Sequence, residues 1–216
     1  MKTIIINSVP TLISLLAVIF FYKKLQPKWL QLFFYFLLYT LVTEIGAVLY
    51  SQYLRKSNHF IINIYLLINF SFYLLIFFKT FEKKSLKSFI RIAFILFILF
   101  YSFNILFIEG FYFFNIYSFC LGSIIIVSCS LLYFMELFSS DRIINYFTLP
   151  MFWISTGLLF FYVGNLLQIS LLRYIINNRL DPDGRMYNFI MVTLNIILYG
   201  AFTLSFLCNQ VWKKAR

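Results

Sequence analysis

Residues 89–138 read FIRIAFILFILFYSFNILFIEGFYFFNIYSFCLGSIIIVSCSLLYFMELF, with Arg91, Glu109 and Glu136 as their only charged side chains. A helix that crosses a bilayer needs about 20 mostly apolar residues. The stretch is therefore long enough for two such helices, folded back on each other at Glu109-Gly110. Similar apolar blocks fill the rest of the chain. The pattern predicts an all-α, polytopic bundle of membrane-spanning helices, forming a single domain over residues 1–216.

Composition agrees with this reading. The chain has 216 residues, is 62% hydrophobic and 12% charged, and has a mean hydropathy of +0.90. An average soluble domain is roughly a quarter charged. The 30 Phe and 16 Tyr are too many for a soluble core of this length. Their abundance, with that of Ile, Asn and Lys, fits an AT-rich coding sequence and a bacterial source. A net charge of +11 would suggest nucleic acid in a soluble protein. Here the basic residues flank apolar spans, where they anchor helices at headgroups, so no nucleic-acid partner is implied. Cys120, Cys129 and Cys208 all fall inside apolar segments. The first two are separated by roughly 13 Å of helical rise, too far for a disulfide.

Seven spans are predicted, at about 4–22, 30–50, 59–78, 89–108, 113–135, 147–169 and 187–208. The first is no cleaved leader, because Phe20-Phe21-Tyr22-Lys23-Lys24 offers no small-residue cleavage site. Lys and Arg set the sidedness. One side carries Lys23, Lys24, Lys28, Lys79, Lys83, Lys84, Lys87, Arg91, Arg142, Lys213, Lys214 and Arg216. The other carries Lys2, Arg55, Lys56, Arg173, Arg179 and Arg185, completing the 18 basic residues. Cytoplasmic loops are the richer in Lys and Arg, so the N-terminus is expected outside and the C-terminus in the cytoplasm of a bacterial inner membrane. The longest exposed segment is about 170–186. Its Asp181-Pro182-Asp183-Gly184 is a turn signal, without the final Glu of an EF-hand loop.

Spans two–three and six–seven can be laid over each other. Glu44-Ile45-Gly46 then falls on Tyr162-Val163-Gly164, and Asn69 with Tyr73 falls on Asn195 with Tyr199. Such matching suggests a three-plus-one-plus-three parallel repeat, an arrangement known in small transporters.

Glu44 is the one acidic residue deep within a predicted span. A charge at the bilayer centre costs about 3 kcal/mol on insertion scales, so the group must be neutral, paired or facing water. Asn63, Asn69, Asn104, Asn115, Ser118, Tyr162, Asn165, Asn188 and Asn195 are expected at a similar outer depth. Two readings stay open. In one, these side chains join helices at roughly 0.6 kcal/mol per hydrogen bond. In the other, Glu44, Asn63, Asn69, Tyr162, Asn165, Asn195 and Tyr199 line an outward-facing polar pocket. Gly46, Gly157 and Gly164 are read as points of close helix contact.

Several chemistries are excluded. No lysine lies within span seven, so a retinal Schiff base has no anchor. The single histidine, His59, sits at a helix edge and cannot supply a histidine-based metal site. No Ser–His pair, aspartyl pair, arginine ladder or filter-like glycine run occurs. No enzyme, metal or cofactor is implied.

The runs Thr43-Glu44-Ile45-Gly46, Asn63-Ile64-Tyr65 and Phe152-Trp153-Ile154-Ser155-Thr156-Gly157-Leu158-Leu159 resemble small seven-helix bacterial membrane proteins. Similar helices form the membrane sensor regions of some histidine kinases. Seven spans with an outer polar layer lead to the expectation of a sensor or interaction module that binds a small molecule or lipid from outside. It would signal to a cytoplasmic or membrane partner through the 79–87 loop and Val211-Trp212-Lys213-Lys214. The other expectations are a proton-coupled solute transporter using Glu44, and a pore-forming or scaffold subunit of a homo-oligomer.

Overall fold

The computed structural model describes residues 2–139, 145–178 and 181–214, without the side chains of 2–7, 172–173, 176–177 and 209–214. Of the basic residues that set the sidedness, Lys2, Arg142, Arg173, Arg179, Lys213, Lys214 and Arg216 therefore lie outside the described side chains, as does the Val211–Lys214 end.

Seven α-helices occur among the described residues. They are α1 (Lys2–Phe21), α2 (Leu32–Leu54), α3 (His59–Thr80), α4 (Lys84–Phe103), α5 (Ile116–Phe138), α6 (Pro150–Asn177) and α7 (Arg185–Lys214). Six segments are long and apolar enough to cross a membrane: Lys28–Leu54, His59–Thr80, Lys84–Ile108, Ile116–Phe138, Pro150–Leu171 and Arg185–Cys208. The chain is thus a multi-pass membrane protein. Helix α1 spans 20 residues but is not one of the six. Large apolar side chains cover the outside, with Phe20 78%, Leu106 72% and Phe107 73% exposed, as expected where lipid is the solvent.

Helix ends differ from the sequence reading for identifiable reasons. Helix α4 starts at Lys84 rather than 89, since Lys84 and Lys87 are good helix formers and do not interrupt it. Helix α5 starts at Ile116, not at Phe113. The aromatic run before it is a bent, non-helical connection held by side chains. Helix α6 continues to Asn177, beyond the predicted end. Pro150 occupies its first position, where a missing amide hydrogen costs nothing.

The helices gather into two compact units. The first holds α1, α6 and α7. There α6 and α7 run antiparallel with close backbone approach. A Cβ on Gly157 would lie 2.7 Å from the Ala201 Cβ and 3.3 Å from the Leu198 carbonyl oxygen. A Cβ on Gly164 would lie 2.5 Å from a Leu194 methyl. Helix α1 packs on α7.

The second unit holds α2–α5, with α3 packed against the other three. Phe36 of α2 stacks on Phe72 of α3 at 4.0 Å between centroids. Phe70 meets Phe97 of α4 at 5.3 Å and Phe119 of α5 at 6.0 Å. Its ring fills the space beside Gly122, where a Cβ would come within 2.5 Å of it. The Thr40–Tyr65 contact (3.4 Å) and the Asn58–Ala47 hydrogen bond (3.0 Å) fix the antiparallel register of α2 and α3.

Candidate functional site

The four-helix unit has a polar end where α3, α4 and α5 meet. It begins with a change of helix geometry. After Phe103, α4 widens into a π-helical turn over Asn104–Ile108, closed by the Glu109 amide donating to the Asn104 carbonyl at 3.0 Å. Such turns are uncommon and often mark functional positions. Gly110 follows with φ +79°, a left-handed conformation that glycine adopts without penalty. The chain reverses there and runs through a series of bends to Asn115.

Side chains hold this reversal. Asn63 of α3 is fully buried and donates from Nδ2 to the carbonyls of Phe111 (2.9 Å) and Phe113 (2.7 Å). Its Oδ1 accepts from the Asn115 amide at 3.2 Å. Its own backbone carbonyl accepts from the Tyr101 hydroxyl of α4 at 2.8 Å. Asn104, also fully buried, donates to Glu109 Oε2 at 2.6 Å and to Ser118 Oγ of α5 at 2.8 Å. Glu109 then accepts from the amides of Ile116 (3.0 Å) and Tyr117 (3.3 Å). A carboxylate in this position caps α5 and complements the positive end of its dipole.

Some polar atoms of the cluster are not satisfied. The Asn115 side chain is fully buried, yet neither its Nδ2 nor its Oδ1 has a hydrogen-bond partner. The Asn104 Oδ1 and the His59 Nδ1 are also buried without partners. The His59 ring lies 6.3 Å from that of Phe114, the residue before Asn115. A buried polar group left unbonded costs about 1–3 kcal/mol, so the Asn115 amide opposes folding unless a further partner meets it.

Glu44 sits half-buried on α2. The α2–α3 register puts it level with Ile61, within a helical turn of the level of Asn63. Asn69 lies lower on α3, near the aromatic packing around Phe70. The four-helix unit thus holds two neighbouring sets of hydrogen bonds, Asn63 with the 111–115 connection and Asn104 with Glu109 and Ser118. Glu109 was read from the sequence only as a turn residue, yet it links Asn104 to the first amides of α5.

The remaining sequence candidates belong to the three-helix unit. Tyr162 and Tyr199 are buried, and Asn195 is half-buried. Asn165 donates to the Phe161 carbonyl of its own helix at 2.8 Å. Asn188 is exposed. Gly157 and Gly164 face α7 at close range, whereas a Cβ on Gly46 would meet nothing within 4 Å. At one end of this unit Asp181 accepts from the amides of Met186 (3.1 Å) and Tyr187 (2.9 Å). The Tyr187 hydrogen bond, followed by those of the neighbouring amides, lowers the Asp181 pKa below its ordinary 3.8. Gln168 of α6 donates to the Tyr187 carbonyl at 3.3 Å. These contacts make Asp181 the cap of α7, and Gly184, at φ +65°, supplies the turn between them.

Comparison with protein-family models, characterised proteins and solved structures gave no match.

Proposed function

We propose that the chain is a membrane sensor or interaction module in a bacterial inner membrane. A small polar molecule or lipid headgroup would engage the Asn63–Asn104–Glu109–Asn115 end of the four-helix unit. The observation that carries this reading is the buried Asn115 amide with both polar atoms unbonded. A side chain needed only for packing would be better as leucine, since burial of an unpaired amide opposes folding. Occupancy of the site would bear on the π turn of α4 and on the start of α5 together. Helix movement would then reach a partner through the basic 79–87 segment.

The proposal includes orientation. The uneven distribution of Lys and Arg supports an external N-terminus, and the polar end would then face outward. It does not include the three-plus-one-plus-three repeat, since α1 groups with α6 and α7 rather than with α2 and α3.

The test compares wild type with Asn115→Leu in lipid nanodiscs. Thermal unfolding is followed against a panel of neutral polar solutes and soluble headgroup analogues. At least one compound is expected to raise the wild-type midpoint and leave the variant unmoved. A more stable variant, with no compound distinguishing the two, would make the amide a packing fault and remove the proposed site.

A further inference from the structure

The opposite end of the four-helix unit carries a different feature. A groove of about 360 Å³ runs between α3 and α4, lined by Ser71, Leu74, Leu75, Phe78, Ile90, Arg91 and Phe94. Its α3 wall repeats at positions 71, 74, 75 and 78, which is one face of a helix. From Ser71 to Phe78 that face is roughly 10 Å long. Leu75 and Phe94 are exposed, so the groove opens toward the lipid side rather than into the core.

Charge is placed at one end of this groove only. Lys84, Lys87 and Arg91 follow each other at helical spacing along α4, and Phe94 continues the same stripe. The stripe therefore changes from cationic to apolar in the direction that leads from headgroup to acyl chain. The Lys87 ammonium lies 5.8 Å from the centroid of the Phe78 ring, at the rim of the groove. Arg91 makes no hydrogen bond or ion pair among the described residues. A guanidinium two turns inside a membrane helix needs an anionic partner or a path to the headgroups. It presents a rigid fork of donors suited to phosphate.

We propose that the α3–α4 groove is a binding site for one anionic phospholipid. Its acyl chain lies against Leu74, Leu75, Phe78 and Phe94, and its phosphate is bound by Arg91 with Lys87. Charge complementarity selects the occupant. A neutral chain would gain the apolar contact but leave Arg91 unpaired, and a soluble anion would leave the groove unfilled. The inference is independent of the polar end around Asn115 and survives if that site proves empty.

The experiment is native mass spectrometry of the full-length protein, delipidated in detergent and titrated with phosphatidylglycerol or phosphatidylcholine of matched chains. Wild type is expected to hold one phosphatidylglycerol more tightly than phosphatidylcholine. Arg91→Gln is expected to weaken phosphatidylglycerol roughly fivefold, as befits one basic contact near the surface. Leu75→Trp, an exposed change that narrows the groove, is expected to weaken it as well, while Lys56→Gln leaves it unchanged. Equal retention of both lipids by wild type would overturn the proposal. So would unchanged retention in both groove variants, or displacement of the lipid by millimolar inorganic phosphate.

Discussion

The Asn104 amide stands 2.6 Å from the Glu109 carboxylate, and the Glu109 amide returns a hydrogen bond to the Asn104 carbonyl at 3.0 Å. This pair closes the π turn that ends α4. Because Glu109 also receives the first amides of α5, one carboxylate couples two helices. Replacing it with alanine is expected to cost about 1–2 kcal/mol, the range for loss of a cap with its dipole contact. Glu109→Gln, which keeps one acceptor oxygen, should lose less. Hydrogen exchange at Ile116 and Tyr117 is the readout, with faster exchange in the order wild type, Gln, Ala.

Asn63 is the second fixed point. Its side chain makes three hydrogen bonds to the 111–115 connection. Asn63→Leu removes all three and leaves two carbonyls and an amide without partners. A loss of about 2–4 kcal/mol is expected. Thr43→Val deletes only a bond to the Tyr39 carbonyl within the same helix, and should stay within about 0.5 kcal/mol. Unfolding in a titration with denaturing detergent distinguishes the two.

The glycines of α6 offer a contrast of sign. Alanine gains up to about 1 kcal/mol over glycine within a helix. At Gly164 the obstacle is the end of the Leu194 side chain, which can turn aside. At Gly157 it is the Ala201 Cβ and a backbone carbonyl, which cannot. Gly164→Ala is therefore expected to be near neutral, and Gly157→Ala to destabilise by about 1–3 kcal/mol. Thermal midpoints of the two variants in one detergent check the order.

Asp181 supplies a pH dependence. Amide hydrogen bonds hold its carboxyl below the usual 3.8, so the folded state favours the ionised form. Its contribution to the α7 cap is present at neutral pH and is lost as pH falls through the lowered value. Protection of the Met186 and Tyr187 amides from exchange, relative to the intrinsic rate at each pH, should hold at neutral pH and fall as pH drops through the lowered Asp181 value. In Asp181→Ala that protection should be reduced throughout.

Much of this architecture is legible in the chain itself. Apolar runs of about 20 residues locate helices because no other element satisfies its own backbone in lipid. Asn63, Asn104, Asn115 and Ser118 stand out as polar side chains in apolar runs, and hydrogen bonds link Asn63 to the Asn115 backbone and Asn104 to Ser118. Glu109 did not stand out. Its role depends on where α5 begins, and Phe111–Phe114 are as apolar as a helix although hydrogen bonds from Asn63 hold them in a bent connection. Gly122 was likewise silent, because a glycine that seats Phe70 is visible only once the rotations of α3 and α5 are known. The grouping of α1 with α6 and α7 joins distant parts of the chain, which local periodicity does not encode.

The central claim is an outward-facing polar end on the four-helix unit, opposite a basic end in the cytoplasm. Single cysteines test it directly, after Cys120, Cys129 and Cys208 are replaced by alanine. Tyr112→Cys reports the α4–α5 connection, where the side chain is 74% exposed. Ser85→Cys reports the basic start of α4, where Ser85 is exposed. A membrane-impermeant maleimide should label Cys at 112 in intact cells and Cys at 85 only after permeabilisation. Labelling of both from one side, or the reverse pattern, would contradict the account.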